Sequence, residues 1–247
     1  MKVLLHPSKD TFITNRIISS SDTAKKSNMG LAGGMVLYHF SGTDNLQNTP
    51  AIENARILLE FDLSELDSYS GIGLTPISSS YKLKLYDAPV NEFLPGGFDI
   101  EAVRVSGTFA EGNGFDLQAL SDLGAVNWLS RSVGNAWNTP GGDLLTGTKV
   151  TQSFSVGHEN LEMDITPLVT SSLASGTNNV GICLKLPDAT ESGSTDVDHK
   201  VFYTKDSPNQ VLRPRLIVGT QDDVVIDQRG GIQAGTTGSI FIIRSVN

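Results

Sequence analysis

Apolar and polar side chains alternate in segment after segment of this chain, and that pattern constrains its fold more than any other feature. In "RILLEFDLS" (residues 56–64), Ile57, Leu59, Phe61 and Leu63 share one face, while Glu60 and Asp62 lie on the other. "YKLKLYD" sets Tyr81, Leu83 and Leu85 inward against Lys82 and Lys84, and "GICLKLP" sets Ile182, Leu184 and Leu186 against Lys185. Successive side chains of a strand point to opposite faces, so this spacing predicts half-buried antiparallel sheet. Leu216 joins these inward residues in the expected core. "TFITN", "MVLYHF", "IEAVRV", "TQSFSV", "KVFYTK" and "PRLIVG" are further strand candidates. Helix signals are few. The best is "DITPLVTSSLASG", where Thr166 is placed to cap, Pro167 to take the first helical position and Gly176 to end the helix. "DLSELDS" (residues 62–68) suits one short turn. Many strands broken by Gly, Pro and Asn turns, with no repeat of roughly 20–50 residues, predict an all-β sandwich or barrel and not a propeller or solenoid.

Composition narrows the class of partner. The chain has 247 residues, 38% of them hydrophobic and 18% charged, enough apolar surface to build a core. Its formal net charge is −9, and its densest cationic run is only Lys25-Lys26. Binding a nucleic acid requires clustered Lys and Arg that displace counterions from phosphates, so neither nucleic acid nor an anionic membrane is expected as a partner. No apolar run approaches the ~18 residues of a membrane span. "MKVLLHPSKD" falls short of the about 7–15 apolar residues of a signal peptide, and export by the usual route is not expected. Cys183 is the only cysteine, flanked by Ile182 and Leu184, which predicts a buried strand thiol and no internal disulfide.

Two regions break the alternation. Residues 107–148 contain both tryptophans, Trp128 and Trp137, and few alternating runs, which predicts a long ordered excursion. Residues 220–247 follow what reads as a last strand, "RPRLIVGT". They read as two short strands, "DVVIDQ" and "SIFIIRSV", joined by the Gly-rich "RGGIQAGTTG".

Taken in order, several segments resemble the DNRLRE-type domains, jelly-roll-like β-sandwiches found in large secreted bacterial proteins. "SKDTFITN" is similar to the family's opening strand with its Asp-Thr pair, and "SNMG" to the Asn-x-Gly loop that follows. "ARILLEFDLSEL" resembles its Arg-containing strand ending in Phe-Asp-Leu-Ser, and "SYKLKLYD" the next strand. "VRVSGTFAEGNG" resembles the Trp-x-Glu-Gly element, with Phe109 where a Trp is usual. "VNWLSRSVGNAWNTPGGD" resembles the stretch with Ala-Trp-x-Thr-Pro-Gly-Gly-Asp. "MDITPLV", "NNVGICLKL" and "RPRLIV" are similar to its later turn, strand and closing strand. The resemblance covers residues 1–219. It implies an antiparallel jelly-roll-like β-sandwich, with residues 220–247 left over as a C-terminal strand arm. It also implies that Trp137 closes one end of the sandwich, with the Pro140-Gly141-Gly142 turn holding its loop in place. An exposed Trp137 on a rigid loop would instead suit stacking on a sugar ring.

Catalytic signals are sparse. His6, His39, His158 and His199 are dispersed, and none stands in a zinc-binding spacing. There is no nucleophile elbow and no Gly-rich loop opening a helix. Glu162 and Asp164, two apart on a strand, share a face as paired carboxylates do in sandwich glycosidases, but Pro167 stands where those enzymes carry a further Glu. Asp164 reads better as a partner of backbone at the start of the short helix. "DATESGSTDVDH" offers Asp188, Asp196 and Asp198, with Glu191, as hard oxygen ligands for Ca²⁺, without the ordered Asp-x-Asp-x-Asp-Gly spacing. A solvated acidic loop is the expectation there, with no enzyme activity and no cofactor.

A sandwich hosts many roles, and three functions compete. A polysaccharide-degrading enzyme lacks its carboxylates. A secreted carbohydrate-binding or cell-wall adhesion module fits the family's usual company and Trp137. A structural protein of a tailed-bacteriophage virion, external on head, neck or tail, needs no signal peptide, cysteine or cofactor. It does need an arm that docks on other virion proteins or on copies of itself. Val224, Ile226, Ile240, Phe241, Ile242 and Ile243 supply one, because "SIFIIRSV" is apolar on both faces and must be covered on both. The virion reading is preferred, with assembly in the host cytoplasm; whether the arm docks on its own sandwich or on a neighbour is open.

Overall fold

The computed structural model describes residues 2–19, 22–44, 49–72, 79–89, 97–115, 124–219 and 225–227. Strand makes up 49% of the structure and helix 14%, which makes the fold an all-β antiparallel sandwich. The strands are β1 (Lys2–Leu5), β2 (Lys9–Thr14), β3 (Ile17–Ser19), β4 (Asp22–Thr23), β5 (Gly34–Asp44), β6 (Thr49–Asp62), β7 (Ser80–Leu85) and β8 (Phe98–Val105). They continue with β9 (Ser130–Ser132), β10 (Asn135–Ala136), β11 (Leu144–Phe154), β12 (Leu161–Asp164), β13 (Asn179–Lys185), β14 (Val197–Tyr203), β15 (Arg215–Gly219) and β16 (Val225–Asp227). One five-stranded sheet runs β12-β7-β15-β1-β16. A seven-stranded sheet runs β11-β8-β13-β6-β5-β14, with β2 also paired to β6. Two hairpin-like pairs, β3-β4 and β9-β10, stand apart.

The main core lies between these sheets. Ile57, Leu59 and Phe61 of β6, with Ile182 and Leu184 of β13, meet Leu83 and Leu85 of β7 and Leu216 of β15, all fully buried. Period-two alternation carried these eight residues inward as the sequence predicts. Tyr81 joins them, as do Val3 and Leu5 of β1, a strand the sequence reading passed over.

The expectation of a half-buried sheet fails in the middle of the seven-stranded sheet, where β8, β13 and the second half of β6 are covered on both faces. Glu60 and Lys185 sit on the face assigned to solvent, yet they are only 3% and 2% exposed. The excursion accounts for this. Phe109, Val126, Trp128 and Trp137 lie over Ile13, Leu58, Val103, Val105 and Cys183 and form a second core on the sheet's outer face. Burial of Cys183 is as predicted, and it pushes the thiol up to about 12. Buried Asn28 pins the excursion: its amide donates to the carbonyls of Glu111 and Val126, and its Oδ1 accepts from the N–H groups of Gly30 and Gly114. Beneath the excursion, Lys9 Nζ at 2.6 Å and the Thr108 hydroxyl at 2.5 Å occupy the two carboxylate oxygens of Glu60. A buried carboxylate without such partners would cost several kcal/mol, roughly.

The helix α1 (Thr166–Ala174) ends on Gly176, at φ +78, as expected. Its start differs from the sequence reading, because Thr166 does not cap. The Asp164 carboxylate accepts both the N–H and the hydroxyl of Thr166, while the Thr166 oxygen accepts from the N–H of Tyr81. The turn read in residues 62–68 is a 3₁₀ helix over Leu63–Ile72.

Candidate functional site

The sheet does not end at Gly219. β1 is antiparallel to β15 on one side, with Lys2 opposite Gly219, and parallel to β16 on the other, with Lys2, Val3 and Leu4 opposite Val225, Ile226 and Asp227. Parallel neighbours joined in sequence need a crossover of a dozen or more residues. Here the short link joins β15 to β16, which are antiparallel to one another with β1 between them. β16 lies against β1 as the edge strand of the five-stranded sheet. An edge strand offers a row of backbone N–H and C=O groups for further pairing. Of the six expected arm residues, only Ile226 lies in a described strand; Val224, Ile240, Phe241, Ile242 and Ile243 lie outside the described residues.

Trp137 requires a correction. It is 4% exposed and belongs to the second core, a structural residue that presents no free ring to a sugar. Its indole N–H donates to the Asn127 carbonyl at 2.9 Å, and the Arg131 guanidinium lies 5.3 Å over its ring. Trp128 is 7% exposed beneath the Arg56 guanidinium. The Thr-Pro-Gly-Gly turn is what allows this packing. Gly141, at φ +91, gives its N–H to the Trp128 carbonyl and its own carbonyl to Arg56, and a Cβ there would meet the Trp128 ring at 2.8 Å.

The other candidate residues are taken up by neighbours. Glu162 and Asp164 share an exposed face of β12, as their spacing requires. Glu162 is bound by Lys84 at 2.5 Å, which holds its carboxyl below the usual range, and Asp164 is committed to Thr166. The described calcium candidates are held by other partners. The Asp188 carboxyl is bound by Lys185 at 2.8 Å, which lowers its pKa, and Asp196 accepts the Ser41 N–H at 2.7 Å. Glu191 grips Arg56 through both oxygens, at 3.0 and 2.6 Å. The Asp198 side chain lies outside the described residues. Among the described residues no group of three His, Cys, Asp or Glu side chains is placed to hold a metal ion.

Two charged clusters escaped sequence reasoning. Asp10, 1% exposed, accepts the Lys205 N–H through Oδ2, while its Oδ1 is buried without a hydrogen-bond partner. Burial raises its pKa to about 7. Beside it, the Asp10 N–H donates to Glu111, and Lys205 Nζ lies 3.2 Å from the same carboxylate. An open cleft of about 520 Å³ adjoins Lys205, lined also by His6, Ser8, Glu65, Asp206 and Arg213. The second cluster surrounds Lys200, which is 0% exposed, with Asp87, His158 and Glu159. Neither carries a spacing signal, because each unites residues distant in sequence. No protein-family profile matches the chain, and no curated protein sequence does so either.

Proposed function

We propose that this chain is a non-enzymatic structural component of a tailed-bacteriophage virion, external on head, neck or tail, that docks on neighbouring subunits through its C-terminal segment. One observation carries the reading: the segment after β15 enters the sheet as β16 and becomes its edge, in register with Val3. A tail that already behaves as an added strand is suited to strand addition between subunits, in which main-chain bonds give affinity and alternate side chains give specificity. Beyond β16, Ile240 to Ile243 are apolar on both faces and need cover on both. Each large side chain fully covered contributes roughly 1.5–3 kcal/mol, against about 4–15 kcal/mol for association, so several together suffice.

The commitment of Glu162 and Asp164 to Lys84 and Thr166 supports a non-catalytic role. The burial of Trp137 removes the aromatic platform on which a carbohydrate-binding module would have rested. Kinship of residues 1–219 with DNRLRE-type domains is part of the same proposal and is supported by the antiparallel sandwich. The test is truncation after Gly219. The shortened chain is expected to stay folded and soluble while losing its place in the oligomer or particle, read by sedimentation and by mass spectrometry of purified particles. A full-length protein that is monomeric at micromolar concentration, with a truncated form that unfolds, would mean that residues 220–247 serve only their own sandwich and would defeat the reading.

A further inference from the structure

We propose that Lys200 and Asp87 condense to an intramolecular isopeptide bond that staples the two sheets of the sandwich together. The proposal is independent of the virion reading.

The backbone first brings the two side chains together. Asp87 follows β7 of the five-stranded sheet, and Lys200 lies on β14 of the seven-stranded sheet. Asp87 bridges Phe202 in antiparallel fashion, and two bonds lock that junction: Ala88 N–H to the Val201 carbonyl at 2.9 Å and Tyr203 N–H to the Tyr86 carbonyl at 3.1 Å. Lys200 Nζ then has three acceptors: Asp87 Oδ1 at 2.5 Å, the Gly157 carbonyl at 2.7 Å and the Glu159 carbonyl at 2.9 Å. The rings of Phe154 and Phe202 lie 5.2 and 4.9 Å from Nζ and keep water away.

This arrangement aims a nucleophile. An ammonium has three N–H groups and no lone pair. When the proton on the Asp87 axis passes to the carboxylate, the two carbonyls retain the other two, and the vacated axis, now the lone pair, faces the Asp87 carboxyl. Burial favours that transfer, because an ion pair is costly to desolvate and the amine–acid pair is neutral. Desolvation lowers the Lys200 pKa even against the opposing hydrogen bond and charge of Asp87 and the charge of Glu159.

The bonds balance without an oxidant. Nζ attacks Asp87 Cγ and forms the C–N bond, and the C–Oδ2 bond breaks. Oδ2 leaves as water, carrying two protons: the first, which moves from Oδ1 to Oδ2 as Oδ1 becomes the amide carbonyl, and a second that Nζ sheds on becoming an amide. His158, whose Nδ1 lies 3.5 Å from Asp87 Oδ2 and whose side chain is half exposed, relays that second proton, giving one to Oδ2 and recovering one from Nζ. The product is one amide and one water.

Intact-mass spectrometry of the full-length protein tests this directly. The expected mass is one water below that required by the sequence. After tryptic digestion, cleavage should fail at Lys200, and the peptide containing it should be joined to the peptide containing Asp87. Lys200→Arg and Asp87→Ala should restore the full mass, and His158→Gln should slow the appearance of the linked form about a hundredfold or more after a pulse of expression. The full sequence mass in the folded wild-type protein overturns the proposal, as does a water loss mapped elsewhere. Linkage at an unchanged rate in His158→Gln removes the relay.

Discussion

Replacing Trp137 with alanine tests whether the excursion builds a second core or merely drapes over the sheet. The ring is 4% exposed, packs among the outer-face apolar residues and lies beneath Arg131. Truncating a buried aromatic to alanine costs about 3–5 kcal/mol, from lost transfer energy and the cavity left behind. Trp137→Phe keeps much of the volume but leaves the Asn127 carbonyl without its indole donor, a loss of about 1–3 kcal/mol. For a domain of this size each kcal/mol moves the melting temperature by about 2–4 °C, so Trp137→Ala should lower it by about 6–20 °C. Denaturant titration followed by circular dichroism measures both variants without relying on tryptophan fluorescence. A loss below about 1 kcal/mol for Trp137→Ala would mean that the ring is not buried in solution. The sugar-stacking alternative would then return.

Two further outcomes follow from the buried charges. Burial holds Asp10 at about 7 against an ordinary 3.8, so folding takes up a proton between those values and stability falls as pH rises through that window. Asp10→Asn should therefore be more stable than the wild type at pH 8 and converge with it near pH 4, with urea midpoints as the measurement; parallel midpoints across that range would refute the buried acid. Glu191→Gln leaves Arg56 and Lys185 buried without their shared anion and should cost about 3–5 kcal/mol in urea unfolding, whereas a change below about 1 kcal/mol would mean that water reaches the pair.

Alternation made the inner face legible, since Leu59, Leu83 and Leu184 point inward wherever a strand has one dry side. The outer face was harder, although two residues carried the signal. Leu58 and Cys183 are apolar at positions where the pattern calls for polar ones, as strands buried on both faces require. Glu60 and Lys185 masked it, because a charge satisfied by Lys9 or Asp188 is indistinguishable in sequence from one satisfied by water. β1 was missed because "KVLL" has no alternation, and both its neighbours come from the far end of the chain. The Asp10 and Lys200 clusters were invisible for a related reason: each joins residues more than 100 positions apart, such as Asp87 and Lys200, separated by 113. Spacing rules read only what is local.

The position of β1 also orders events during synthesis. It emerges before every other described strand, yet its partners in the sheet are β15 and β16, so Leu5 must wait for Leu216 and Val3 for Ile226. β7 waits likewise, for β12 and β15. The seven-stranded sheet, by contrast, can begin early, with β2, β5 and β6 pairing as soon as residue 62 has left the ribosome. Pairings so distant in sequence form slowly, because the entropy of closing the loop is lost before any contact compensates it. A ribosome stalled before β15 would release a chain whose first strand has nothing to pair with, open to capture by chaperones or proteases. The five-stranded sheet is thus the last part of the sandwich to close.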